Sequence, residues 1–369
     1  MRFPEFSMER MQSTFEHVVR YDLSESGVEA LTVDEVERSM KELGGLRLGY
    51  ADGRGREATR ALVASFHAGH EPDDVLLTTG TSEANFLALA TLVEPGDEVI
   101  VVMPSYMQVH GIARGLGARV REVWLREERG WALDTQELRD AISDRTRLVC
   151  VCQPNNPTAQ RLPRQQVIDI ARICASRDVW ILADEVYRGA ERDGEEAASF
   201  SGAAERVIVT GGLSKVYGLP GLRIGWIVGP RDRIMAAWSL KDYTTIAPAT
   251  VSEHLAEIAL ERRADLTKRA RFLLNERWPL LEAWAVRHAR ALHWTPPQAG
   301  GVCFFSYTWP IASVELSDRL IREWSTMIVP GAHFSAERHV RIGYGMPSRI
   351  LDAGLAAIDR LLAELRVEA

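Results

Sequence analysis

The chain has 369 residues and a net charge of −7, with 46% hydrophobic and 26% charged residues. This composition is typical of a globular protein long enough for one large and one smaller domain. The acidic balance argues against a nucleic-acid partner, because no excess of Lys and Arg exists to neutralise phosphates. The charged and aromatic residues 1–20 fit neither a signal peptide nor a membrane span, so we expect a cytoplasmic protein with no membrane partner.

Four cysteines are scattered through apolar stretches, at Cys150, Cys152, Cys174 and Cys303. Their surroundings favour buried, reduced thiols over a disulfide framework. Cys150 and Cys152 would face the same side of a strand, and a metal site could in principle combine them with His67 and His70. We regard the buried thiols as the better interpretation and expect no metal.

The first 45 residues are predicted to form an arm of helix and loop that ends at Gly44 and Gly45. Tyr50 then precedes a glycine-containing turn and an amphipathic helix. From Val75 onward, short apolar strands alternate with helices. This alternation is typical of a mostly parallel sheet with crossover helices.

A candidate anion site follows the strand over 75–78, where Gly80, Thr81 and Ser82 lie in a turn that leads into a helix over 85–92. Small hydroxyl residues after a glycine at a helix N-terminus present free N–H groups and a favourable dipole to an anion. Thr81 and Ser82 are therefore candidates for binding a phosphate. A plain helix N-cap would have the same sequence.

Two later strands also end in side chains suited to a planar ligand. The strand over 98–103 ends just before Tyr106, which could lie over a flat ring or could simply be a half-buried tyrosine at a helix start. The strand over 179–183 ends at Asp184. A carboxylate at the tip of an apolar parallel strand lies where open α/β sheets bind ligands.

The most informative stretch is 209–225, which is predicted to be a strand, a tight turn and a second strand around Lys215. The chain has 44 basic residues, of which only four are lysines, so Lys215 in this near-apolar context needs an explanation. Lysine, unlike arginine, can lose its proton and form a Schiff base, most commonly with pyridoxal phosphate. Arg223 is the predicted phosphate partner, because its planar fork can bond two phosphate oxygens. By itself, a lysine in a loop is more often structural or solvated.

The remaining chain is predicted to form helices over 230–290 and then short strands mixed with helices. One of these strands carries Arg341, which could bind a ligand or be satisfied by a local carboxylate. We therefore predict a large cofactor-binding domain over 46–265. Residues 1–45, together with 266–369, would form the arm and a small α+β domain.

Ser214 and Lys215, followed by the Gly-Leu-Arg-Ile-Gly run around Arg223, resemble the cofactor-lysine signature of class I/II aminotransferases, which are pyridoxal-phosphate enzymes of fold type I. Further motifs follow in family order along nearly the whole chain. The resemblance implies an α/β fold with a mostly parallel central sheet sandwiched by helices and a smaller α+β C-terminal domain.

The resemblance also implies roles for individual residues. Lys215 would carry the cofactor and move protons, Asp184 would keep the pyridine nitrogen protonated, and Tyr187 would share the phenolic oxygen with Asn156. Tyr106 would stack on the ring. The implied cofactor-binding residues of this chain are Thr81, Ser82, Tyr106, Asn156, Asp184, Tyr187, Ser214, Lys215 and Arg223.

Three further residues have roles that rest on the resemblance. Arg341, with Asn156, would bind the α-carboxylate of the substrate. Gly27 lies in the segment that related enzymes run across the active-site mouth, so it would let the backbone approach the substrate, although a plain turn also explains it. Tyr50 would reach the cofactor phosphate of a partner subunit, so the active unit would be a homodimer.

Two positions depart from the family pattern. The hexad Gln-Pro-Asn-Asn-Pro-Thr over 153–158 resembles the Asn-Pro-Thr-Gly motif, but Ala159 takes the place of the glycine. Gly212 has no hydroxyl where related enzymes place Ser or Thr against the phosphate. A serine at 212 would therefore be expected to tighten cofactor retention by about tenfold.

The resemblance implies a pyridoxal-phosphate-dependent aminotransferase that moves the amino group of an α-amino acid to a 2-oxo acid. The same framework resembles enzymes that continue to elimination or replacement, including cyclases that make unusual arginine-derived amino acids. A non-catalytic sensor of pyridoxal phosphate is a third interpretation. The sequence does not identify the amino acid or the acceptor.

Overall fold

The computed structural model describes residues 2–37 and 40–367. Within these residues the α-helices are α1 (Ser7–Phe15), α2 (Val33–Val36), α3 (Met40–Gly44), α4 (Glu57–Ala64), α5 (Gly80–Leu92), α6 (Gln108–Gly115), α7 (Thr135–Ala141), α8 (Arg164–Ala175), α9 (Arg231–Lys241), α10 (Thr250–Glu261), α11 (Arg263–Arg287), α12 (Ser313–Trp324) and α13 (Ser348–Val367). None of them is long and apolar enough to cross a bilayer.

The strands are β1 (Tyr21–Asp22), β2 (Val75–Thr79), β3 (Glu98–Met103), β4 (Arg119–Trp124), β5 (Thr146–Cys152), β6 (Trp180–Asp184), β7 (Val207–Gly212), β8 (Ile224–Val228), β9 (Leu292–Trp294), β10 (Val302–Tyr307), β11 (Thr326–Met327), β12 (Val329–Pro330) and β13 (His339–Gly343). Seven of them form the large sheet in the order β2-β8-β7-β6-β5-β3-β4. Its strands are parallel except β8, which pairs antiparallel with both β2 and β7. The mostly parallel sheet predicted from the sequence is confirmed.

Helices cover both faces of this sheet. All five residues of β6 are buried, as expected for a parallel strand that is covered on two sides. Leu182 packs in one apolar cluster with residues of α5, α6 and α9, whereas its neighbour Ile181 packs in another with residues of α8. Successive side chains of a strand point to opposite faces, so this alternation builds two cores on one sheet.

A second, antiparallel sheet has the order β12-β13-β10-β9. Arg341 lies in β13 and pairs with Phe304 of β10 and with Val329 of β12. The N-terminal arm joins this part of the molecule through β1, which pairs in parallel with β11. The arm and the C-terminal strands are therefore adjacent, although about 300 residues separate them.

Four local features differ from the sequence-based expectations. The helix expected from residue 85 begins at Gly80, and the edge strand β4 was not predicted. Among the short strands expected after residue 290, the sequence favours a single one over 327–329, but the structure divides this stretch between β11 and β12, which belong to different sheets. The large sheet also continues past Gly225 to Val228, because β8 inserts fully between β2 and β7.

Candidate active site

The carboxyl ends of β5, β6 and β7 meet at one edge of the large sheet, where Asp184 is in register with Cys152 on one side and Thr210 on the other. A cavity of about 210 Å³ lies at this edge. Ten residues predicted from the sequence line it, namely Thr81, Ser82, Tyr106, Asn156, Asp184, Tyr187, Ser214, Lys215, Arg223 and Arg341. A larger groove of about 770 Å³, lined by residues 3–7 and by α6, contains none of these ten, so we assign the chemistry to the smaller cavity.

Lys215 lies just beyond the end of β7 in a loop that backbone hydrogen bonds hold in place. The Leu213 N–H donates to the Ile224 carbonyl at 3.0 Å, and the Val28 N–H donates to the Lys215 carbonyl at 3.2 Å. The Lys215 Nζ donates to Glu25 Oε1 at 2.9 Å. Burial alone would lower the pKa of Lys215, but the charge of Glu25, that of Tyr187 and the hydrogen bond to Glu25 together hold that pKa above its usual value.

Glu25 is the counter-ion of this lysine. Its Oε1 also accepts hydrogen bonds from the backbone N–H groups of Ser26 at 2.8 Å and Gly27 at 2.7 Å. Burial raises the pKa of Glu25, but the Lys215 charge and these hydrogen bonds together lower it to about 2. Glu25 is therefore an ionised carboxylate at neutral pH, in direct contact with the candidate reactive amine.

The Asp184 carboxylate at the end of β6 is held by the side-chain amide of Asn85, which Thr210 holds in turn. Asn85 Nδ2 donates to Asp184 Oδ2 at 3.0 Å, and Thr210 Oγ1 donates to Asn85 Oδ1 at 2.7 Å. Burial raises the pKa of Asp184, against the hydrogen bonds from Asn85 and from the Val186 N–H. A cationic nitrogen on a bound ring would give this buried carboxylate a charged partner.

Arg341 is buried with an unpaired donor. Its Nη1 donates to Asn156 Oδ1 at 2.8 Å and its Nη2 to the Ser24 carbonyl at 2.5 Å. Its Nε is buried and has no hydrogen-bond partner among the described residues. Both of these acceptors are neutral oxygens. Arg341 is therefore not hydrogen-bonded to a local carboxylate among the described residues. Such a guanidinium is suited to binding the carboxylate of a ligand.

Tyr187 and Asn156 bring further polar groups to the same cavity. The Tyr187 hydroxyl donates to Ser26 Oγ at 2.8 Å, while Asn156 is engaged by Arg341. Burial raises the pKa of Tyr187, and the positive charges of Lys215 and Arg341 oppose that rise. The positive charges of Lys215 and Arg341 therefore stabilise a negatively charged oxygen in this part of the cavity. That oxygen can be the Tyr187 hydroxyl oxygen or an oxygen of a ligand.

The N-terminus of α5 and Arg223 form an anion-binding corner. Arg223 Nη1 donates to the Pro220 carbonyl at 3.0 Å and lies 3.5 Å from Ser214 Oγ. A side chain at Gly80 would collide with the Arg223 guanidinium, and a Cβ at Gly225 would lie 2.5 Å from the Thr81 backbone nitrogen. The two glycines thus let the helix start, the guanidinium and β8 approach one another. A helix N-terminus with an adjacent guanidinium and hydroxyl suits a phosphate.

The surroundings of Gly212 leave little room for the serine side chain that was expected to tighten cofactor retention. A Cβ at this position would lie 2.5 Å from Thr81 Oγ1 and 3.0 Å from the Ile224 carbonyl oxygen. Thr81 Oγ1 is in turn anchored, since it donates to the Gly211 carbonyl at 3.0 Å. The Thr81 hydroxyl already takes the space of a side chain at 212, so a serine there would displace it rather than add a hydrogen bond.

Ala159 adopts the conformation that the family motif assigns to glycine. Its φ is +57°, and the residue is fully buried. Its N–H donates to the Asn155 carbonyl and its own carbonyl accepts from Gln298 N–H, both at 2.9 Å. The turn therefore keeps its left-handed exit with alanine, at a cost of about 1–2 kcal/mol.

Gly27 and Tyr50 do not line the cavity. A Cβ at Gly27 would lie 3.2 Å from the Ser214 carbonyl oxygen and 3.3 Å from Lys215 Cα, so this glycine lets the N-terminal segment approach the lysine loop. Tyr50 is 93% exposed on the surface of the protomer. Their predicted contacts with a substrate and with a partner subunit stay predictions.

Helix α1 covers the mouth of the cavity with side chains that the sequence did not indicate. Tyr106 donates its hydroxyl to Glu9 Oε1 at 2.7 Å, and its ring meets Phe6 edge-on at 5.0 Å between centroids. Gln12 Nε2 donates to the Ser24 carbonyl at 3.1 Å and to Ser24 Oγ at 2.9 Å. These contacts tie α1 to Tyr106 on one side and to the segment before Glu25 on the other.

An amine at the carboxyl edge of the sheet, a buried carboxylate and two arginines define this protein as a pyridoxal-phosphate-dependent enzyme of fold type I. The chain belongs to the aminotransferase class I and II family, whose sequence model matches residues 21–358. It is 36% identical to capreomycidine synthase of Streptomyces vinaceus over 349 residues, which cover 92% of this chain and 89% of that protein.

Solved structures agree with this membership. A PLP-dependent aminotransferase from Streptococcus suis superposes with a TM-score of 0.93 at 29% identity, over 99% of both chains. The PLP-dependent cyclase OrfR superposes with a TM-score of 0.90 at 26% identity, over 99% of this chain and 98% of that one. Pyridoxal phosphate is therefore the cofactor expected for this chain.

The residues present fit that cofactor. The corner of Thr81, Ser82, Ser214 and Arg223 offers hydrogen-bond donors for a phosphate, and buried Asp184 offers a carboxylate for a ring nitrogen. Lys215 supplies the amine in the same cavity.

Proposed function

We propose that the protein is an aminotransferase that moves the amino group of an α-amino acid to a 2-oxo acid. The proposal rests on a single cavity that is lined by Lys215, by buried Asp184 and by Arg341, whose buried Nε has no hydrogen-bond partner among the described residues. Pyridoxal phosphate, when bound, supplies an electrophilic carbon for the amino group and a ring that withdraws electrons from the substrate Cα.

The protein's own residues would bind and orient. Arg223, Ser214 and the first N–H groups of α5 would hold the phosphate, and Asp184 would hold a proton on the ring nitrogen. Tyr187 and Asn156 would donate to the phenolic oxygen, which requires Asn156 to use its Nδ2, since its Oδ1 accepts from Arg341.

Arg341 would fix the substrate carboxylate, so that the Cα–H bond lies within reach of Lys215. As a free amine, Lys215 would remove the proton at Cα and return it at C4′ of the cofactor, on the far side of the amino nitrogen. This role needs a neutral amine, whereas Glu25 favours the ammonium. The balance between Glu25 and Lys215 therefore sets the pH at which proton transfer becomes efficient.

A second candidate is elimination, replacement or cyclisation on an amino acid. Two observations favour it: the 36% identity to capreomycidine synthase and the carboxylate of Glu25 on Lys215. Such reactions need a further proton donor or acceptor to help a side-chain group leave or add. An acid–base pair of Glu25 and Lys215 has that capacity.

The two candidates are separated by adding single amino acids to the cofactor-loaded enzyme. Transamination leaves the pyridoxamine form of the cofactor and one equivalent of 2-oxo acid. Elimination or cyclisation regenerates the original absorbance and yields ammonia or a new amino acid. Mass spectrometry of the products distinguishes these outcomes, and the absence of any reaction with a broad panel would contradict both candidates.

We also infer a homodimer and two domains, with 46–265 as the large domain and 1–45 with 266–369 as the small one. Exposed apolar side chains support the dimer: Leu48 and Tyr50 are 80% and 93% exposed, and Tyr243 is 89% exposed. Thr250 Oγ1 donates to the Gly49 carbonyl at 2.8 Å, which joins the segment of Leu48 and Tyr50 to the start of α10. Sedimentation equilibrium tests the assembly, and a monomer at micromolar concentration would contradict it. A cytoplasmic location stays a prediction.

A further inference from the structure

Two carboxylates in the cavity bind neither the cofactor nor the substrate α-carboxylate in the proposed transamination. Glu9 and Glu25 both line it, and both come from the N-terminal 25 residues. Glu25 is ionised and directed at Lys215, while Glu9 is held by the hydroxyl of Tyr106. All hydrogen bonds that the described residues donate to Glu25 fall on Oε1, so its Oε2 keeps its capacity to accept.

The remaining charges of the cavity have partners once the proposed ligands are bound. Arg223 would face the phosphate, Asp184 the ring nitrogen and Arg341 the substrate α-carboxylate, while Lys215 would be engaged with the cofactor. No further Lys, Arg or His of the described residues lines the cavity. The uncompensated groups are then Glu9 and Glu25, two negative charges in a partly enclosed site.

We propose that the enzyme takes an amino acid whose side chain carries a positive charge, a guanidinium or an ammonium, which binds between Glu9 and Glu25. This inference rests on the proposed function, because it uses Arg341 as the α-carboxylate site. Glu25 loses its positively charged partner when Lys215 becomes neutral, and a partly buried charge without a partner is costly. A cationic side chain of the substrate would replace the Lys215 ammonium as that partner. A dicarboxylic amino acid would place a third negative charge beside the two glutamates.

Hydrogen bonds hold the N-terminal arm, with its two glutamates, against the proposed α-carboxylate site. Gln12 joins α1 to Ser24, and Ser24 and Asn156 accept from Arg341. The glutamate-bearing segment and the α-carboxylate site are thus linked by hydrogen bonds. A substrate held by Arg341 would extend its side chain toward α1. Glu25 is partly buried and Glu9 is exposed, and a partly buried carboxylate recognises a cation more strongly than an exposed one does, so Glu25 should contribute more.

The test measures binding rather than turnover. Reduced conjugates of pyridoxal phosphate with single amino acids are titrated calorimetrically into the full-length, cofactor-depleted protein. The arginine conjugate is compared with the citrulline conjugate, and the lysine conjugate with the norleucine conjugate, since each pair differs mainly in charge. We expect the cationic member to bind at least about tenfold more tightly, which corresponds to ~1.4 kcal/mol.

Matched variants assign the preference to the two glutamates. Glu9→Gln and Glu25→Gln should each reduce the cationic preference several-fold, while Glu5→Gln, on the exposed N-terminal segment outside the cavity, should leave it unchanged. Equal affinity within each pair, or tightest binding of the glutamate conjugate, would overturn the inference while the proposed function stands. Failure of every conjugate to bind would overturn the proposed function and this inference together.

Discussion

Glu25 Oε1 lies 2.9 Å from Lys215 Nζ, although 190 positions separate the two residues. The contact joins the N-terminal arm to the loop after β7, and each partner shifts the pKa of the other toward its charged form. The availability of the amine thus depends on a carboxylate outside the lysine motif.

Glu25→Gln should make Lys215 a better nucleophile near neutral pH. The pKa of Lys215 lies above its usual value because Glu25 stabilises the ammonium, so a neutral amide should lower that pKa and enlarge the fraction of free amine. Uptake of pyridoxal phosphate by the depleted variant should be about tenfold faster at neutral pH for each unit that the pKa falls. Stopped-flow absorbance over a pH series measures this, and a rate profile that does not move to lower pH would contradict the assignment. Glu5→Gln serves as the control.

Asp184→Asn should keep the cofactor but slow proton removal from the substrate by about 10²-fold or more, because an amide cannot hold the ring nitrogen positive. Asn85 and the Val186 N–H now donate to different oxygens of the carboxylate, and the single acceptor oxygen of the amide can keep one of these two hydrogen bonds. Single-turnover absorbance measures the step, with Asp193→Asn on the surface as control. A half-reaction at the wild-type rate would refute the role.

Arg341→Ala should weaken amino-acid binding by about 1.5–3 kcal/mol and leave cofactor affinity nearly unchanged, since a charge-assisted contact to the carboxylate is lost. Spectral titration with a reacting amino acid gives the apparent affinity, and exposed Arg290→Ala is the control. Unchanged affinity for all reacting amino acids would show that another residue binds the carboxylate.

Gly212→Ser should loosen the cofactor rather than tighten it. The added side chain would collide with the Thr81 hydroxyl and press on the Ile224 carbonyl, which disturbs the N-terminus of α5. Residual absorbance after dialysis without cofactor measures retention. The double variant Gly212→Ser with Thr81→Ala should recover part of the loss, and slower loss from the single serine variant would contradict the steric account.

The large sheet was predictable because most of its strands can be recognised in the sequence as short apolar runs. Strands β3, β5, β6 and β7 are apolar runs, and in parallel topology their carboxyl ends must meet, which places Asp184 near Lys215. The edge strand β4 was missed because Arg119, Arg121 and Glu122 give it a polar sequence. Such charges are common on edge strands, which must not pair with other chains.

Glu9 and Glu25 could not be found in this way. Neither belongs to a motif, and each becomes informative only when β1 pairs with β11 and α1 comes to lie over Tyr106. The clash at Gly212 was also hidden, because it depends on the distance between a strand end and the first turn of α5. These features depend on contacts between segments that are distant in the sequence, so the local sequence could not predict them.

Lys215 is the residue that we expect to bind pyridoxal phosphate covalently. Borohydride reduction of the loaded protein, followed by peptide mapping, measures this directly. The strongest competitor is Lys241, which is buried and whose pKa burial lowers to about 8. We expect one pyridoxyl group per chain on Lys215 and loss of the label in Lys215→Ala. A label on Lys241, Lys41 or Lys268, or full labelling of Lys215→Ala, would contradict it.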